Sequence, residues 1–504
     1  MDSNQFRQAA HQIIEDIIAQ HDGQAINHAV PSGLHPGQTS RTFPTSAPNN
    51  SETWEDIHND YHNLITPAMS NWQAPGFAAF FPGSTSYPSI LGELYSASWG
   101  GSMFNWICSP AATELEETTM DWLASALALP HAMHHKASEG RGGGIMMGSS
   151  SESTLTAMIA ARDLTIDELV GRHADVDERQ AASTLLVVIA GKTAHSSVEK
   201  AARILGLRYA EVMCDGDSEF GMTRFALEQA IDRCRKLGLH PFFVTATLGT
   251  TSTCAIDDLQ GIGEVLESEG QSIWGHVDAS YGGNALICPE YQHLSMAISG
   301  FDSFVTNLNK WLLVNADASC FFIKNKHSVI RALSSNPSYL QNPQTTHEPH
   351  DLTISLTRRF RALKVWFVFR TFGINGLRKH VRDGILRCEE IAPLLVERPD
   401  LFEIVSKPCF GVLTFRIRPG DGSISDGNFG EYNRRSNDVT RRVCEGINAT
   451  GSFYVTGCEV EGFYVIRLVT THNGNSFDSM RLLVNKLIEK ATRELGAKEE
   501  PQAG

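Results

Sequence analysis

The 504-residue chain lacks a hydrophobic run long enough to cross a membrane, since its densest apolar stretches, residues 311–314 and 366–369, end within four residues. A membrane-spanning helix needs about 20 apolar residues. The first residues also lack the basic start and apolar core of a secretory signal. Basic side chains are in deficit, because 42 Lys and Arg face 57 Asp and Glu, a net charge of −15. This charge repels nucleic acids and anionic lipids, so we expect a cytoplasmic protein that binds neither nucleic acid nor membrane.

Closely spaced cysteine pairs are also missing. The ten cysteines lie scattered between Cys108 and Cys458, and no two are separated by only two residues. This spacing is typical of buried thiols in a reducing compartment rather than of a disulfide framework or a zinc site. We therefore predict no metal site.

Apolar segments typical of buried strands alternate with helical patterns from about Trp54 to Gly373. This pattern predicts an α/β fold with a mostly parallel sheet covered by helices. The predicted domains are an N-terminal helical segment over residues 1–85, a large domain over 86–375, a smaller C-terminal α+β domain over 376–495 and a tail over 496–504. The predicted strands include residues 184–190, 241–247, 272–278, 302–306, 412–416 and 463–467, and the predicted helices include residues 1–22, 355–372 and 477–495.

Polar residues stand where four of these strands end. They are His195, Thr247, Asp278 and the segment from Asn307 to Lys310. Ligands bind beyond the carboxyl ends of the strands in an open α/β sheet, so we expect these four ends to form one site.

A serine-rich segment, residues 148–153, opens onto a helical pattern and would place hydroxyls and free N–H groups at a helix N-terminus. That arrangement favours a bound anion, so the segment is a candidate phosphate-binding cup. An equally good interpretation is a capping box, in which Ser149 caps the helix and Glu152 follows three residues later. The segment matches neither the P-loop nor the G-x-G-x-x-G pattern, which argues against a nucleoside triphosphate or a dinucleotide.

Lys310 directly precedes an apolar run, so its amine is expected to be partly desolvated and nucleophilic toward carbonyls. An ordinary surface lysine is the alternative. A Schiff-base lysine, an acid such as Asp278 facing a ring nitrogen, and a phosphate cup are the contacts that pyridoxal phosphate requires. His195 could stack on the ring, or it could be a capping or core histidine.

Several segments carry a family resemblance. Residues 194–201, 246–251, 276–282, 307–315 and 358–370 closely resemble the group II pyridoxal-phosphate decarboxylases, and most of all the aromatic L-amino acid decarboxylases. The resemblance implies a fold-type I homodimer that decarboxylates aromatic L-amino acids such as tryptophan, phenylalanine and tyrosine.

The resemblance also implies roles for individual residues. Lys310 would carry the cofactor, Asp278 would pair with its pyridine nitrogen, and His195 would stack on its ring. The remaining cofactor contacts would come from Ser150, Ser151, Thr247, Ser280 and Asn307.

The aromatic substrate pocket of the family maps onto Trp72, Phe80, Pro82 and Phe104, each of which could also be a plain core residue. Gly411 occupies a position where glycine would leave room for an indole, unless the backbone itself requires glycine there.

Three departures from the family pattern stand out. Asn309 replaces the usual histidine before the lysine, and Gly83 replaces a common threonine. Residues 341–357 lack the tyrosine that usually protonates the substrate carbanion. His350 aligns nearest to that tyrosine and is our candidate proton donor, with His195 or water as alternatives.

The missing tyrosine keeps other activities open. An aldehyde synthase, whose carbanion reacts with oxygen, is a close alternative, and a catalytically silent partner subunit that binds the cofactor is a more distant one. Residues 420–428 loosely resemble a calcium loop without glycine at the sixth place, and a plain surface turn is the favoured interpretation.

Overall fold

A computed structural model describes residues 1–21, 30, 32–270, 272–335, 348–420 and 429–496. Within these residues the chain forms two β-sheets. The larger sheet has seven strands and the smaller has four. The strands of the larger sheet are β1 (Gly143–Met147), β2 (Leu186–Gly191), β3 (Arg208–Val212), β4 (His240–Thr247), β5 (Trp274–Asp278), β6 (Ser303–Asn307) and β7 (Ser319–Ile323). Those of the smaller sheet are β8 (Phe402–Cys409), β9 (Val412–Ile417), β10 (Thr456–Val460) and β11 (Phe463–Val469).

The larger sheet has the order β1-β7-β6-β5-β4-β2-β3. The strands β3, β2, β4, β5 and β6 are parallel neighbours, whereas β7 is antiparallel to both β6 and β1. Strands β1, β2, β5 and β7 are buried along their whole length, as expected for a sheet covered on both faces. The predicted mostly parallel α/β fold is confirmed.

Fifteen α-helices are described within the residues given above. Those up to β3 are α1 (Ser3–His21), α2 (Trp54–Asp60), α3 (Tyr87–Ser98), α4 (Pro110–Ala126), α5 (Ser150–Val170), α6 (Val176–Ser183) and α7 (Ser197–Ile204). The later ones are α8 (Arg224–Lys236), α9 (Leu259–Ser268), α10 (His293–Ala297), α11 (Leu308–Trp311), α12 (Lys326–Leu333), α13 (Arg361–Val396), α14 (Phe429–Asn448) and α15 (Phe477–Gly496).

The chain divides into two compact units. One consists of residues 81–386 and 408–412, and the other of residues 1–80, 387–407 and 413–504. The first unit contains the seven-stranded sheet, whose core includes Ala157 and Ala161 of α5 together with Val188, Phe243 and Val305 of the strands. The domain boundaries expected from the sequence stay a prediction.

The second unit has its own apolar core. The strand residues Leu413, Phe415 and Ile466 pack with Val443 of α14 and Leu487 of α15 in one buried cluster. Both helices bury one apolar face against the sheet, which is the usual way for a four-stranded antiparallel sheet to complete a core.

The predicted helix over residues 355–372 is wrong at its start but right at its end. The helix begins only at Arg361, and it breaks at Gly373, whose φ of 62° and ψ of 171° are not helical, before a second helical stretch continues to Val396. Residue 358 is not helical because its backbone and side chain bind elsewhere: the N–H of Arg358 donates to Ser102 Oγ at 3.1 Å, and its guanidinium donates to Glu116 Oε1 at 2.6 Å. Tertiary contacts therefore override the local helical pattern.

All ten cysteines are free thiols, and seven of them are buried. Across the described residues, no helix is long and apolar enough to span a membrane. Residues 421–428 of the calcium-like segment lie outside the described residues, and so does His347.

A buried histidine in β5 makes the stability of the protein sensitive to acid. The ring of His276 is fully buried between Ser303 Oγ, 2.9 Å from Nδ1, and Thr154 Oγ1, 3.3 Å from Nε2. Burial lowers the pKa of His276 from 6.5 to about 4. Between these pH values the unfolded chain therefore binds a proton at His276 that the folded chain does not bind. The free energy of unfolding decreases as pH falls through this window.

We expect His276→Gln to weaken this acid sensitivity. The free energy of unfolding of the wild type should fall between pH 6.5 and 4 by up to about 1.4 kcal/mol per pH unit more than that of the variant. Urea unfolding at pH 7 and pH 5 measures the difference, with the exposed His173→Gln as the matched control. Equal pH dependence in the wild type and His276→Gln would contradict this account.

Candidate active site

Adjacent strand ends of the larger sheet bring several predicted site residues together. Thr247 at the end of β4 pairs in register with Asp278 at the end of β5. One strand further along, the N–H of Asn307 donates to the carbonyl of Ser280 at 3.0 Å. Lys310 follows Asn307 by three residues, in the short helix α11. The ends of β4, β5 and β6 thus form one edge, as the sequence predicts.

Asp278 is a buried carboxylate with one oxygen engaged. Its Oδ1 accepts the N–H of Ser280 at 3.1 Å and also the hydroxyl of Ser280. Both side-chain hydrogen bonds found for Asp278 among the described residues are accepted by Oδ1, which leaves Oδ2 open. Ser280 thus orients the acid, and its predicted contact with the cofactor stays a prediction. A fixed carboxylate with one open oxygen suits a cationic partner.

A second buried acid, Asp257, is hydrogen-bonded to the end of β4 and was not predicted. Its two oxygens accept the N–H groups of Met222 and Thr247, both at 2.7 Å. Burial, together with a smaller contribution from the nearby charge of Asp278, raises the pKa of Asp257 to about 7. Two neighbouring carboxyl groups in a buried site resist carrying two negative charges. Asp257 therefore anchors the end of β4 while favouring a positive charge in front of Asp278.

The N-terminus of α5 reaches the same edge of the sheet next to β7. Ser150 Oγ lies 3.3 Å from Ser319 Oγ, and Ser319 pairs in register with Asn307. Ser149 caps the helix by accepting the N–H of Glu152 at 3.1 Å, so the capping contact is present. It coexists with a possible anion site, because Ser150 and the exposed Ser151 begin the first turn, where an anion gains about 0.3–1 kcal/mol from the helix dipole.

Several buried oxygen atoms lack a hydrogen-bond partner within the part of the chain that the structure describes. Thr247 Oγ1 and Asn307 Oδ1 are two of them at this edge. Leaving such a group unpaired costs about 1–3 kcal/mol, so their burial is understandable if a ligand supplies the partner. These orphaned atoms, the open oxygen of Asp278, the amine of Lys310 and the turn at Ser150 fit the polar groups of pyridoxal phosphate.

An aromatic stack borders Lys310. Tyr281 stacks between Phe81, with ring centroids 3.9 Å apart, and Trp311, at 5.1 Å. Lys310 Nζ lies 5.0 Å from the centre of the Phe81 ring. Each stacked pair adds about 0.5–1.5 kcal/mol beyond its buried area, and the hydroxyl of Tyr281 donates to the carbonyl of Phe410 at 2.6 Å. The stack therefore gives the lysine a rigid, apolar neighbour.

Asn309, the departure from the family pattern, stabilises the lysine turn. Its side-chain Oδ1 accepts the N–H of Ala318 at 3.2 Å, and its carbonyl accepts the N–H of Ser84 at 2.7 Å. The second contact ties the turn to the segment that contains the predicted residue Pro82, which is buried. The amide thus closes the loop between α11 and β7.

His195 follows β2, the strand beside β4, and its ring is exposed. Its Nδ1 lies 2.8 Å from Ser197 Oγ and accepts the N–H of Ser197 at 3.2 Å. The neutral ring therefore carries its proton on Nε2. Among the described residues, no hydrogen bond, ion pair or ring contact joins His195 to the other site residues, so its role stays a prediction.

The structure brings His350 and Phe104 together. The Nδ1–H of His350 donates to the carbonyl of Phe104 at 3.1 Å, and the backbone N–H of His350 donates to the same oxygen at 3.1 Å. The rings meet edge to face with centroids 6.1 Å apart. The Nε2 atom faces Asp351 Oδ1 at 3.6 Å. His350 is therefore held in one orientation with Nε2 as its only atom able to exchange a proton.

Trp72 and Phe80 lie in the other compact unit and stack with ring centroids 5.7 Å apart. Their side chains are 39% and 43% exposed, so neither is a plain core residue within the chain. Exposed stacked aromatics are typical of ligand or partner contacts. Their assignment to a substrate pocket stays a prediction.

Gly411 lies in the turn between β8 and β9 rather than within a strand. Its φ is 74°, a left-handed conformation that strains any side chain except those of asparagine and aspartate. The backbone at residue 411 therefore favours glycine, which is the alternative explanation raised by the sequence. A serine there would strain the turn as well as fill space, so a substrate role for Gly411 stays a prediction.

Phe81, Asp257 and Ser319 are the site residues that the sequence did not reveal. Phe81 sits beside the predicted Phe80 and Pro82, and this proximity was the one available signal. Asp257 directly precedes Asp258, which caps α9, so its sequence context is that of an ordinary helix start. Ser319 belongs to β7, a strand that the pattern analysis missed.

Known proteins are similar to this chain along most of its length. The pyridoxal-dependent decarboxylase conserved domain matches residues 36–418. The aromatic-L-amino-acid decarboxylase of Rattus norvegicus is 35% identical over 93% of each chain, and the phenylacetaldehyde synthase of Arabidopsis thaliana is 35% identical over 93% of this chain and 92% of its own. The crystal structure of Oryza sativa TDC with PLP and tryptamine has a TM-score of 0.91 and 29% identity, covering 98% of this chain and 99% of that one.

These matches confirm the family resemblance and the cofactor. The curated relatives align along nearly the whole chain, and a solved structure of the same fold contains pyridoxal phosphate. The chain belongs to the pyridoxal-dependent decarboxylase family.

Proposed function

We propose that this protein decarboxylates aromatic L-amino acids to aryl-ethylamines and CO₂. The observation that carries the proposal is the convergence of Lys310, the open oxygen of Asp278 and the two unpaired oxygens of Thr247 and Asn307 at one sheet edge. The aromatic substrate class is supported by relatives named for aromatic amino acids and by a neighbour crystallised with tryptamine.

The residues of the site divide the chemical work. Pyridoxal phosphate, when bound, supplies an electron sink for the pair released by the bond between Cα and the carboxylate. Lys310 offers its amine as the covalent attachment point beside Phe81. Asp278, whose carboxylate is held in place by Ser280, would stabilise a positive ring nitrogen through Oδ2. The first turn of α5, with Ser150 and Ser151, and Asn307 would hold the phosphate.

The substrate side chain would be held by aromatic and small residues. The candidates are Trp72, Phe80, Pro82, Phe104 and Gly411. The exposure of Trp72 and Phe80 within the chain supports this assignment, since a ligand or a second subunit would cover them. Phe104 is supported by its contact with His350.

We expect Asp278→Asn to keep the cofactor but lose most of its activity. The amide cannot balance a positive ring nitrogen, so kcat should fall at least about 100-fold, which corresponds to about 2.7 kcal/mol. Amine formation from tryptophan, tyrosine and phenylalanine measures kcat, and borohydride reduction with peptide mapping should label Lys310 in both proteins.

The control for this experiment is Asp258→Asn, an exposed acid next to the site whose helix-capping role asparagine can keep. It should leave kcat within about twofold. Near-normal turnover by Asp278→Asn, or a label on another lysine, would overturn the assignment. A wild type that forms no amine from any aromatic acid would refute the function itself.

We also propose that His350 protonates Cα after CO₂ leaves. The Phe104 carbonyl fixes the proton of the neutral ring on Nδ1, so Nε2 is the atom that gains and releases the catalytic proton. The Asp351 carboxylate at 3.6 Å stabilises the protonated ring. Histidine is suited to proton transfer near neutral pH.

His350→Gln tests this role because it keeps a polar side chain but removes proton transfer. Amine output should fall at least about tenfold, while the fraction of aldehyde and hydrogen peroxide among the products should rise. The exposed His293→Gln serves as the control. Unchanged rate and products would make His350 a bystander.

The product itself decides between the decarboxylase and the aldehyde synthase. The similarity to phenylacetaldehyde synthase supports the second activity as a distinct candidate, and so does the absence of tyrosine from residues 341–357. A wild type that forms aldehyde and peroxide in equal amounts, with ammonia released, would favour it.

We further propose that the protein is a homodimer. Helix α3 and its C-cap expose a row of large apolar side chains, with Leu94 52%, Tyr95 59% and Trp99 70% exposed. In the other unit, α1 exposes Phe6 and Ile14. Apolar surfaces of this kind are typical of subunit interfaces.

Leu94→Glu should therefore weaken the dimer. A charge in an apolar interface costs several kcal/mol of desolvation, so the variant should sediment as a monomer where the wild type sediments with twice the chain mass. Leu237→Glu, at a side chain that is 76% exposed beyond α8, is the matched control. A monomeric wild type, or a dimer unaffected by Leu94→Glu, would contradict the proposal.

A further inference from the structure

Three metal-ligand side chains converge in the N-terminal part of the chain, apart from the residues assigned to decarboxylation. Asp16 lies on α1, His58 on α2, and His62 on the π-helical turn Tyr61–Ile65 that continues α2. Asp16 Oδ2 is 2.7 Å from His58 Nε2 and 3.2 Å from His62 Nε2, and the two Nε2 atoms are 3.1 Å apart. Three potential ligand atoms therefore form a small triangle.

The triangle has nearly the dimensions of a metal site. Tetrahedral ligands at about 2.0–2.2 Å from a Zn²⁺ ion lie about 3.3–3.6 Å apart. The separations of 3.1 and 3.2 Å are shorter by a few tenths of an ångström and that of 2.7 Å by about 0.6–0.9 Å, so an opening of the three side chains would admit the ion. Among the described residues, this is the one group of three His, Cys, Asp or Glu side chains whose ligand atoms converge in this way.

Local structure explains why the two histidines point to one place. Residues four apart lie on the same face of a helix, and Thr53 fixes the start of α2 by accepting the N–H of Asp56 at 3.1 Å. Asp16 then comes from a different helix, 42 residues away from His58 in the sequence. An ion held here would cross-link α1 to α2.

Solution can reach the cluster. The side chains of Asp16 and His62 are 32% and 39% exposed, whereas His58 is 13% exposed. They border a groove of about 520 Å³ whose apolar wall includes Ile17 and Tyr61. The groove leaves space for a water molecule as a fourth ligand.

The tautomer of His58 is set by a chain of hydrogen bonds. Trp54 Nε1–H donates to Gln12 Oε1 at 2.9 Å, so the amide NH₂ of Gln12 faces His58 Nδ1 at 3.2 Å. In this arrangement His58 carries its proton on Nε2 and donates it to Asp16. An ion bound to Nε2 requires the other tautomer, in which the Nε2 proton is released to solvent and Nδ1 carries a proton, and this Nδ1–H then needs an acceptor at position 12.

We propose that Asp16, His58 and His62 form a binding site for a divalent transition-metal ion such as Zn²⁺. Two imidazoles and one carboxylate suit Zn²⁺, Co²⁺ or Ni²⁺, whereas Ca²⁺ and Mg²⁺ prefer oxygen ligands alone. The ion would serve as a staple between α1 and α2. The proposal does not depend on the reaction that the protein catalyses.

Co²⁺ is the probe because it gives visible absorption bands in a tetrahedral site. Chelator-treated holoenzyme should bind one equivalent per chain, and Zn²⁺ should displace it. His62→Ala and Asp16→Asn should each weaken binding at least about tenfold and abolish the bands, while His11→Ala, an exposed histidine on the same α1 helix, should leave them unchanged. An unaltered cofactor spectrum verifies the fold of each variant.

Gln12→Glu separates a metal site from a cluster held by hydrogen bonds alone. A carboxylate at position 12 can accept both from Trp54 Nε1–H and from a His58 Nδ1–H, so Co²⁺ should bind at least about tenfold more tightly. No saturable Co²⁺ binding to the wild type would overturn the proposal. Binding that survives both His62→Ala and Asp16→Asn would overturn it as well.

Discussion

Two buried carboxyl groups at neighbouring strand ends set the constraint on which the site depends. Asp257 accepts backbone N–H groups from Met222 and Thr247, and Asp278 accepts two hydrogen bonds from Ser280. Burying a second negative charge beside the first is unfavourable unless a positive group compensates. The site is therefore preorganised for a cation at Asp278 Oδ2, and a protonated pyridine ring meets that requirement.

The same carboxyl groups also couple the site to the sheet. Because Asp257 binds the N–H of Thr247, it fixes the end of β4 and with it the unpaired Thr247 Oγ1. Asn307 is fixed from the next strand, through its N–H bond to Ser280. The packed core thus holds these polar groups in positions where they gain hydrogen-bond partners only when a ligand binds. Such an arrangement is common at functional sites.

Much of this edge is predictable from the sequence because each strand is a continuous apolar run with a polar residue at its end. Thr247, Asp278 and Asn307 follow from that pattern alone. Asp257 does not, because it reaches the site through a loop that folds back in an antiparallel bridge between Leu248 and Ile256. Such a return depends on tertiary contacts that leave no periodic signal.

The same limit explains the errors in secondary structure. The residues before α13 have a helical apolar spacing, yet Arg358 is buried against Glu116 and its backbone binds Ser102. A buried ion pair that loses one partner costs about 3–5 kcal/mol, more than the helical preference of a few residues. A long-range partner, which cannot be read from local sequence, decides the conformation.

Asn309 shows how a departure from a family pattern can be absorbed locally. Its amide closes the loop between the lysine helix and β7 through Ala318, and its carbonyl holds Ser84. The side chain is therefore committed to the turn through its Oδ1. The Oδ1 atom of Asn309 is thus already used within the protein, whereas the first turn of α5 still favours an anion through the helix dipole.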